Sequence, residues 1–285
     1  RLFVLSLILS SLIFIKLLLN RMDKYIDENG KSSMRAVIEQ MQQTYDLQVN
    51  GYYSQLHLLE DSLLQEKELS LETDKKFFEV WQKESESTLI FLQENGKAIT
   101  ADGTKLRVDM PSKLLLDLRN GYNIGKLVCL DYEHTKKEGY LVAIPCEEYT
   151  INGETYTAIG TVYNHSRLDS MLKLKGYDGN AYLFMLDSDG NVTYTNQEED
   201  KFFRNYSLLK HLLKAQAITK NEMAILNKKL EKKEQGVELL GKENRYYLGY
   251  CPIESNNSML ICIVKKGVVD NVLRDYQKTI VFATI

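Results

Sequence analysis

Residues 181–194, AYLFMLDSDGNVTY, contain two apolar runs joined by a short polar segment. An apolar run ends at Leu186, a polar segment containing Gly190 follows, and a second run begins at Val192. Glycine suits the turn because, lacking a Cβ, it readily adopts a positive φ. The pattern therefore predicts a β-hairpin.

The same pattern occurs earlier in the chain, in LIFLQENGKA at residues 89–98. Each copy is followed, in the same order, by a strand ending in proline, a further strand and the start of a short amphipathic helix. In the first copy these are residues 139–145, 156–163 and 166–172; in the second, 246–252, 259–264 and 267–273. An internal repeat of this kind predicts two similar modules in series. Each is expected to be a small α+β domain, with an antiparallel sheet of about five strands and helices on one side.

The residues before the repeat show helical periodicity. Apolar side chains recur three or four positions apart, at Val37, Met41, Tyr45, Val49, Tyr52, Leu56, Leu59 and Leu63. This spacing predicts one long helix from Asp23 to about Gln65. The apolar stripe can pack against its own domain or against a second copy of the chain, and the spacing alone does not choose between them.

Apolar runs bracket the sequence: LFVLSLILSSLIFIKLLL at residues 2–19 and IVFATI at 280–285. A run of about eighteen residues crosses most of a hydrocarbon core about 30 Å thick. Its one charge, Lys16, is near an end and can reach the interface. A cleaved signal peptide is the competing interpretation, but no small-residue cleavage site follows Leu19. We expect a membrane anchor, the start of a second one, and a longer parent polypeptide.

Composition excludes several classes of protein. The 285 residues carry a net charge of only −3, so no basic excess indicates nucleic acid as a partner. With 3 prolines and no low-complexity stretch, the region between the apolar runs is expected to be folded. The four cysteines lack metal-ligand spacing and lie in strand-like segments, which predicts buried free thiols. An extracytoplasmic location leaves a disulfide open.

No catalytic, metal or cofactor site is predicted. The segment Asp187-Ser188-Asp189-Gly190 lacks the further oxygen ligands and terminal glutamate of a calcium loop, so a plain turn is the better interpretation. The four histidines are scattered, at positions 57, 134, 165 and 211. No nucleophile elbow or phosphate-binding loop is present. Whether the parent protein is an enzyme stays open.

This architecture, together with the hairpin at residues 181–194, resembles the double Cache sensor domains. The resemblance implies a long helix leaving the membrane, two PAS-like modules and a return to a second membrane helix. It also implies that the membrane-distal module holds a small molecule. The subfamily that binds amino acids has an arginine before a Trp and a Tyr after it; the sole tryptophan, Trp81, has neither.

The domain boundaries expected from these features follow the chain. They are a membrane helix at 1–20, a stalk helix at 21–70, a membrane-distal module at 71–175, a membrane-proximal module at 176–277 and the start of a second membrane helix at 278–285.

Polar and aromatic residues on the distal strands are the candidates for a ligand pocket. They supply a few polar groups on an apolar wall, which suits a zwitterion or carboxylate. The competing interpretation is that tyrosine is simply a good sheet residue. The candidates are Arg107, Asp131, Tyr132, Tyr140, Tyr156 and Tyr163.

The sequence therefore predicts the extracytoplasmic sensing region of a transmembrane signalling receptor. By resemblance, the expected output is a sensor histidine kinase of a two-component system, often a hybrid one, then a diguanylate cyclase, then a chemoreceptor. The expected partners are a small-molecule ligand, the membrane and a second copy of the chain through the stalk helix. A membrane-anchored enzyme or structural surface protein is the alternative from a different class.

Overall fold

The computed structural model describes residues 2–63, 68–69, 78–79, 87–109, 112–132, 135–172, 177–196, 207–241 and 245–271. The chain forms two compact units. Unit 1 comprises Arg1–Gln40, Leu174–Pro252 and Met259–Ile285; unit 2 comprises Met41–Lys173 and Ile253–Ser258. The predicted module borders stay predictions.

The long helix is confirmed as α1, Leu2–Leu63. Its apolar stripe is buried from Met41 through Leu63, at each predicted position within unit 2, so this stripe packs against its own unit. Within the residues whose side chains are described, no helix is both long and apolar enough to cross a bilayer. Apart from Lys16 and Leu17, the side chains of the predicted span at 2–19 lie outside those residues, as does the whole run at 280–285.

Unit 2 contains a sheet of seven strands. Strands β2 to β7 are antiparallel, and each pairs with the next, while β7 also pairs with β2, so these six strands form a closed ring. The strands are β1 Glu68–Leu69, β2 Thr88–Leu92, β3 Lys97–Thr100, β4 Lys105–Asp109, β5 Ile124–Tyr132, β6 Thr135–Ile151 and β7 Glu154–Tyr163. Helices α2, Ser112–Arg119, and α3, His165–Met171, complete the described elements.

The hairpin predicted at residues 89–98 is β2–β3, with Leu92 opposite Ala98. Gly96 in its turn has φ of 81°, and a Cβ there would lie 2.9 Å from the carbonyl oxygen of Val108. Glycine is therefore required both for the backbone conformation and for the close approach of β4.

Unit 1 contains a sheet of five strands in the order β10-β11-β12-β8-β9. The strands are β8 Ala181–Leu186, β9 Val192–Thr195, β10 Gly236–Leu240, β11 Tyr246–Ile253 and β12 Ser258–Lys265. Helices α4, Leu208–Lys214, and α5, Lys220–Glu231, pack with one face of this sheet. A further helix occupies residues 266–271.

The two sheets repeat the same strand order. In unit 1 it is β9-β8-β12-β11-β10, and in unit 2 the corresponding strands are β3-β2-β7-β6-β5. The fold class predicted from the internal repeat is confirmed: an α+β chain in which one long helix carries two PAS-like modules. Unit 2 has two additional strands: β1 pairs with β6, and β4 bridges β3 and β5 and closes the ring.

The predicted turn at residues 187–190 joins β8 and β9. The carboxylate of Asp187 accepts hydrogen bonds from the backbone amides of Asp189, at 3.0 Å, and Asn191, at 2.9 Å. Gly190 adopts φ of 78°. The acidic side chain therefore closes the turn through its own backbone, as aspartate commonly does.

All four cysteines are free. Cys251 and Cys262 are buried as predicted, whereas Cys129 and Cys146 are partly exposed. Burial raises the pKa of the Cys262 thiol. The pKa of the Cys146 thiol is also raised, mainly by burial and to a smaller extent by the negative charges of Glu60 and Glu147. The neutral thiol is the favoured form at both positions, which suits packing rather than nucleophilic chemistry.

Candidate functional site

The strands of unit 2 present two different faces. One face carries a buried apolar cluster that includes Leu106, Leu130, Leu141 and Val162 and receives Leu118 from α2. Side chains alternate along a strand, so Tyr140 and Tyr163 lie on the opposite face. That face contacts α1.

Arg107 and Asp131 come together on adjacent strands. They are opposite one another in the β4–β5 register, and Asp131 lies 3.9 Å from the ammonium of Lys136. Tyr132 follows directly and carries Lys137 over its ring at 5.8 Å. Burial, reinforced by the Asp102 carboxylate, raises the pKa of Tyr132. Arg107 is exposed and Asp131 is half-buried, so these two can meet a solute on one face of the sheet. Tyr132 lies on the other face, where it packs against the apolar cluster.

Tyr140 and Tyr163 form a second group and are register partners on β6 and β7. The Tyr163 ring stacks on Tyr52 of α1 with centroids 4.4 Å apart, and Arg167 donates to the Tyr52 hydroxyl at 3.0 Å. The Tyr140 hydroxyl is hydrogen-bonded to that of Tyr45. Burial raises the pKa of Tyr140 well above its ordinary value. Both candidates thus link the strands to the long helix.

Tyr156 stands apart from the other candidates. Its hydroxyl donates to Glu154 at 3.1 Å, and the same carboxylate lies 3.1 Å from Lys105 and accepts from Gln93 at 3.1 Å. Burial, then the bond to Glu154, raises the pKa of Tyr156 to about 12. The candidates therefore fall into four groups: Arg107 with Asp131, Tyr132, Tyr140 with Tyr163, and Tyr156. Their role in ligand binding stays a prediction.

Sequence reasoning missed a polar cluster around Asn256. Its side-chain amide donates to the Tyr45 hydroxyl at 2.7 Å and to the carbonyl of Gly125 at 2.9 Å. Beside it, the backbone amide of Ser255 donates to Asp46 at 3.2 Å, and the Tyr53 hydroxyl donates to the Ser255 carbonyl at 3.1 Å. A Ser-Asn-Asn turn between strands is typical of an exposed loop, so the sequence carried no signal for this site.

Gly125 makes room for this cluster. A Cβ at this position would lie 2.7 Å from the Tyr140 hydroxyl and 3.0 Å from that of Tyr53. Real Cβ atoms do not approach so closely, so any larger residue would displace buried tyrosines.

Cavities occur in both units. In unit 2, a polar cavity of about 300 Å³ lies between α1 and α3 and includes Tyr52 and Arg167. In unit 1, an apolar cavity of about 330 Å³ lies between the sheet and α4, and a cleft of about 550 Å³ includes Arg245, Lys265 and Lys266.

Over the described ranges, no group of three His, Cys, Asp or Glu side chains could hold a metal ion. His134 and Trp81 lie outside those ranges.

Comparison with known proteins identifies the fold. No family profile matches the sequence, and no curated protein matches it. Among solved structures, the ligand-binding domain of the Pseudomonas aeruginosa amino acid chemoreceptor PctB, in complex with L-Gln, is 14% identical. The match covers 89% of this chain and 97% of that one, with a TM-score of 0.58.

The chain has the fold of a tandem PAS-like sensory domain. The extracellular domain of the putative histidine kinase mmHK1S-Z2 shares this fold at 10% identity, with 84% and 97% coverage and a TM-score of 0.54. So does the periplasmic sensory domain of the Campylobacter jejuni chemoreceptor Tlp1, at 13% identity, 84% and 95% coverage and a TM-score of 0.52. The tandem PAS-like fold confirms the structural part of the resemblance to double Cache domains.

Proposed function

We propose that this chain is the extracytoplasmic ligand-sensing region of a transmembrane signalling receptor. The observation that supports it most directly is the fold: one long helix carrying two PAS-like units, shared with sensory domains of chemoreceptors and putative histidine kinases over 84–89% of the chain. Fold alone does not fix function. The apolar run at residues 2–19, which precedes the stalk, gives independent support for an anchor.

The proposed ligand site lies in unit 2 and uses the predicted residues. Arg107 and Asp131 supply accessible groups of both charges on one face of the sheet, which suit a small zwitterion or carboxylate. Tyr132, the next predicted residue, lies on the other face against the apolar cluster. Tyr140 and Tyr163 carry movement of β6 and β7 to α1 through their contacts with Tyr45 and Tyr52. Tyr156 completes the predicted set on β7. A ligand shifts such an equilibrium only by its differential affinity for the two states.

The relay toward the membrane is proposed to pass through the helix that begins at residue 266. Within unit 1, the Lys266 ammonium lies 2.8 Å from Asp27 of α1 and 2.6 Å from Asp270. The entering and leaving helices are thereby connected by a half-buried ion network. A displacement of one helix changes the energy of this network and so reaches the other.

A homodimer through the stalk is also proposed, on a face other than the buried stripe. Leu47 and Leu58 are 75% and 67% exposed on α1, and Gly51 and Ser54 lie between them on the same face at helical spacing. Two large exposed apolar side chains flanking small residues allow a second helix to approach closely. For the output of the receptor, a histidine kinase is our first proposal, a diguanylate cyclase the second and a chemoreceptor the third.

A ligand screen tests the function. The fragment Asp23–Gln277 is screened by thermal shift against small metabolites, and each hit is repeated on Arg107→Ala and on Lys214→Ala, an exposed cation on α4 of unit 1. We expect a polar, carboxylate-bearing hit whose shift is lost in Arg107→Ala and kept in Lys214→Ala. Hits unaffected by either change place the site elsewhere. Turnover of a hit would favour the membrane-anchored enzyme.

A further inference from the structure

The apolar cavity of unit 1 is enclosed on two sides by different elements. Phe184, Leu248 and Ile263 line it from the sheet, and Leu208 and Leu212 line it from α4. Its volume of about 330 Å³ is at the lower end of the range for small-molecule pockets. Such a space accepts a compact apolar group.

Among the described residues that line this cavity, Lys265 is the one that carries a full charge at neutral pH. No residue that lines it carries a carboxylate, whereas Lys265 and His211 both line it. Lys265 continues the row of β12 side chains formed by Met259, Ile261 and Ile263, so its ammonium stands where that apolar row ends. In the described part of the chain, no ion pair involves Lys265. An anionic group at the mouth would therefore gain a charge-assisted contact.

Three cationic residues and one carboxylate, that of Asp270, line the neighbouring cleft. Lys265 and Tyr246 line both the apolar cavity and the cleft of about 550 Å³ that also includes Arg245 and Lys266. Lys266 is engaged by Asp27 and Asp270, and Arg245 lies 3.6 Å from Asp27, which leaves Lys265 as the cation shared by both spaces. The apolar interior thus opens beside a lysine that forms no ion pair with any residue the structure describes.

We propose that unit 1 contains a second binding site, for a small amphipathic carboxylate such as a medium-chain fatty acid. The apolar body lies between the sheet and α4, and the carboxylate meets Lys265, with the hydroxyls of Tyr182 and Tyr246 as further donors at the same end. The site is separate from the one proposed in unit 2 and does not depend on it.

Paired probes test this assignment on the full chain held in amphipol. Octanoate and octanol have the same apolar body and differ in charge, so the difference between their affinities, measured by titration calorimetry against empty amphipol, reports the carboxylate contact. We expect octanoate to bind about tenfold more tightly than octanol, as a hydrogen bond to a charged group contributes. Equal affinities, or no binding of octanoate, would overturn the proposal.

Variants locate the site. Lys265→Met keeps the aliphatic stem and is expected to reduce octanoate affinity about tenfold while leaving octanol unchanged. Lys214→Met, on α4 but outside the cavity lining, should change neither. Ala217→Phe fills the cavity and should abolish the binding of both octanoate and octanol.

Lys265 is exposed, so its variant tests the site even where Ala217→Phe fails to fold. Unchanged octanoate binding in Lys265→Met would place the carboxylate elsewhere. Arg107→Ala should leave octanoate binding intact, which separates this site from that of unit 2.

Discussion

The side-chain amide of Asn256 donates a hydrogen bond to the hydroxyl of Tyr45 at 2.7 Å, although 211 residues separate them in sequence. Asn256 lies in the turn between β11 and β12, and this turn, Ile253–Ser258, belongs to unit 2 together with Tyr45. Strand β11 belongs to unit 1 up to Pro252, and β12 belongs to unit 1 again from Met259. A segment late in the chain thus supplies a second hydrogen-bond partner, beside Tyr140, to a buried tyrosine on the first helix.

Asn256→Ala is expected to lower the free energy of unfolding by about 1–3 kcal/mol, because the Tyr45 hydroxyl and the Gly125 carbonyl each lose a donor. Urea denaturation followed by circular dichroism measures this. Glu254→Ala, an exposed change in the same turn, is the control and should have little effect. Equal stabilities of the two variants would show that the cluster contributes nothing.

Alkaline pH is expected to destabilise the chain through its buried tyrosines. Burial is the main cause that raises the pKa of Tyr163 from 10.0 to about 12. The neutral phenol is favoured in the folded state, so this stabilisation is complete below pH 10 and is lost as the pH rises toward 12. Between these two pH values, the free energy of unfolding should therefore fall by about 1–2 kcal/mol less in Tyr163→Phe than in wild type. The exposed Tyr122→Phe is the control in urea titrations at each pH; identical pH profiles for all three proteins would refute the assignment.

The fold could be predicted wherever one residue pattern repeats locally. The helical stripe from Met41 to Leu63 and the two glycine hairpins set their own elements through periodicity and backbone freedom. The closure of unit 2 by β4 could not be predicted, since Lys105–Asp109 is short and its pairing with β3 and β5 depends on register rather than on its own sequence.

The candidate site was predictable only in its residue types. Alternation along a strand places Tyr140 and Tyr132 on opposite faces, but which face contacts α1 is decided by tertiary packing. The sequence pattern placed polar and aromatic candidates on strands but did not show which of them lie together in the fold. Asn256 was missed for the same reason, because only the folded chain brings its turn to Tyr45.

Two glycines are expected to respond in opposite directions to alanine. Gly190 has φ of 78° in the β8–β9 turn, so Gly190→Ala should cost about 1 kcal/mol of stability. Gly51 lies in α1, and a Cβ at this position would have nothing within 4 Å, so Gly51→Ala should gain about 0.5–1 kcal/mol from helix propensity. Thermal unfolding compares both with wild type, and a shift of the same sign in both would contradict the conformational explanation.

Charges on the exposed face of α1 are expected to separate the proposed dimer. The double change Leu47→Glu and Leu58→Glu places carboxylates on both copies of the face, so sedimentation equilibrium of the full chain should shift from dimer to monomer. Arg35→Glu, exposed on another side of the same helix, should leave the dimer intact. A dimer that survives the double change does not use this face.

Surface labelling of the parent protein in intact cells tests most directly whether the folded region lies outside the membrane. Ser188 is exposed in the turn between β8 and β9, and Ser188→Cys introduces a reactive thiol there, with the unsubstituted protein measuring the background from the native cysteines. A membrane-impermeant maleimide should label Ser188→Cys above that background before the cells are broken. Labelling that appears only after lysis would contradict the proposed sensory region.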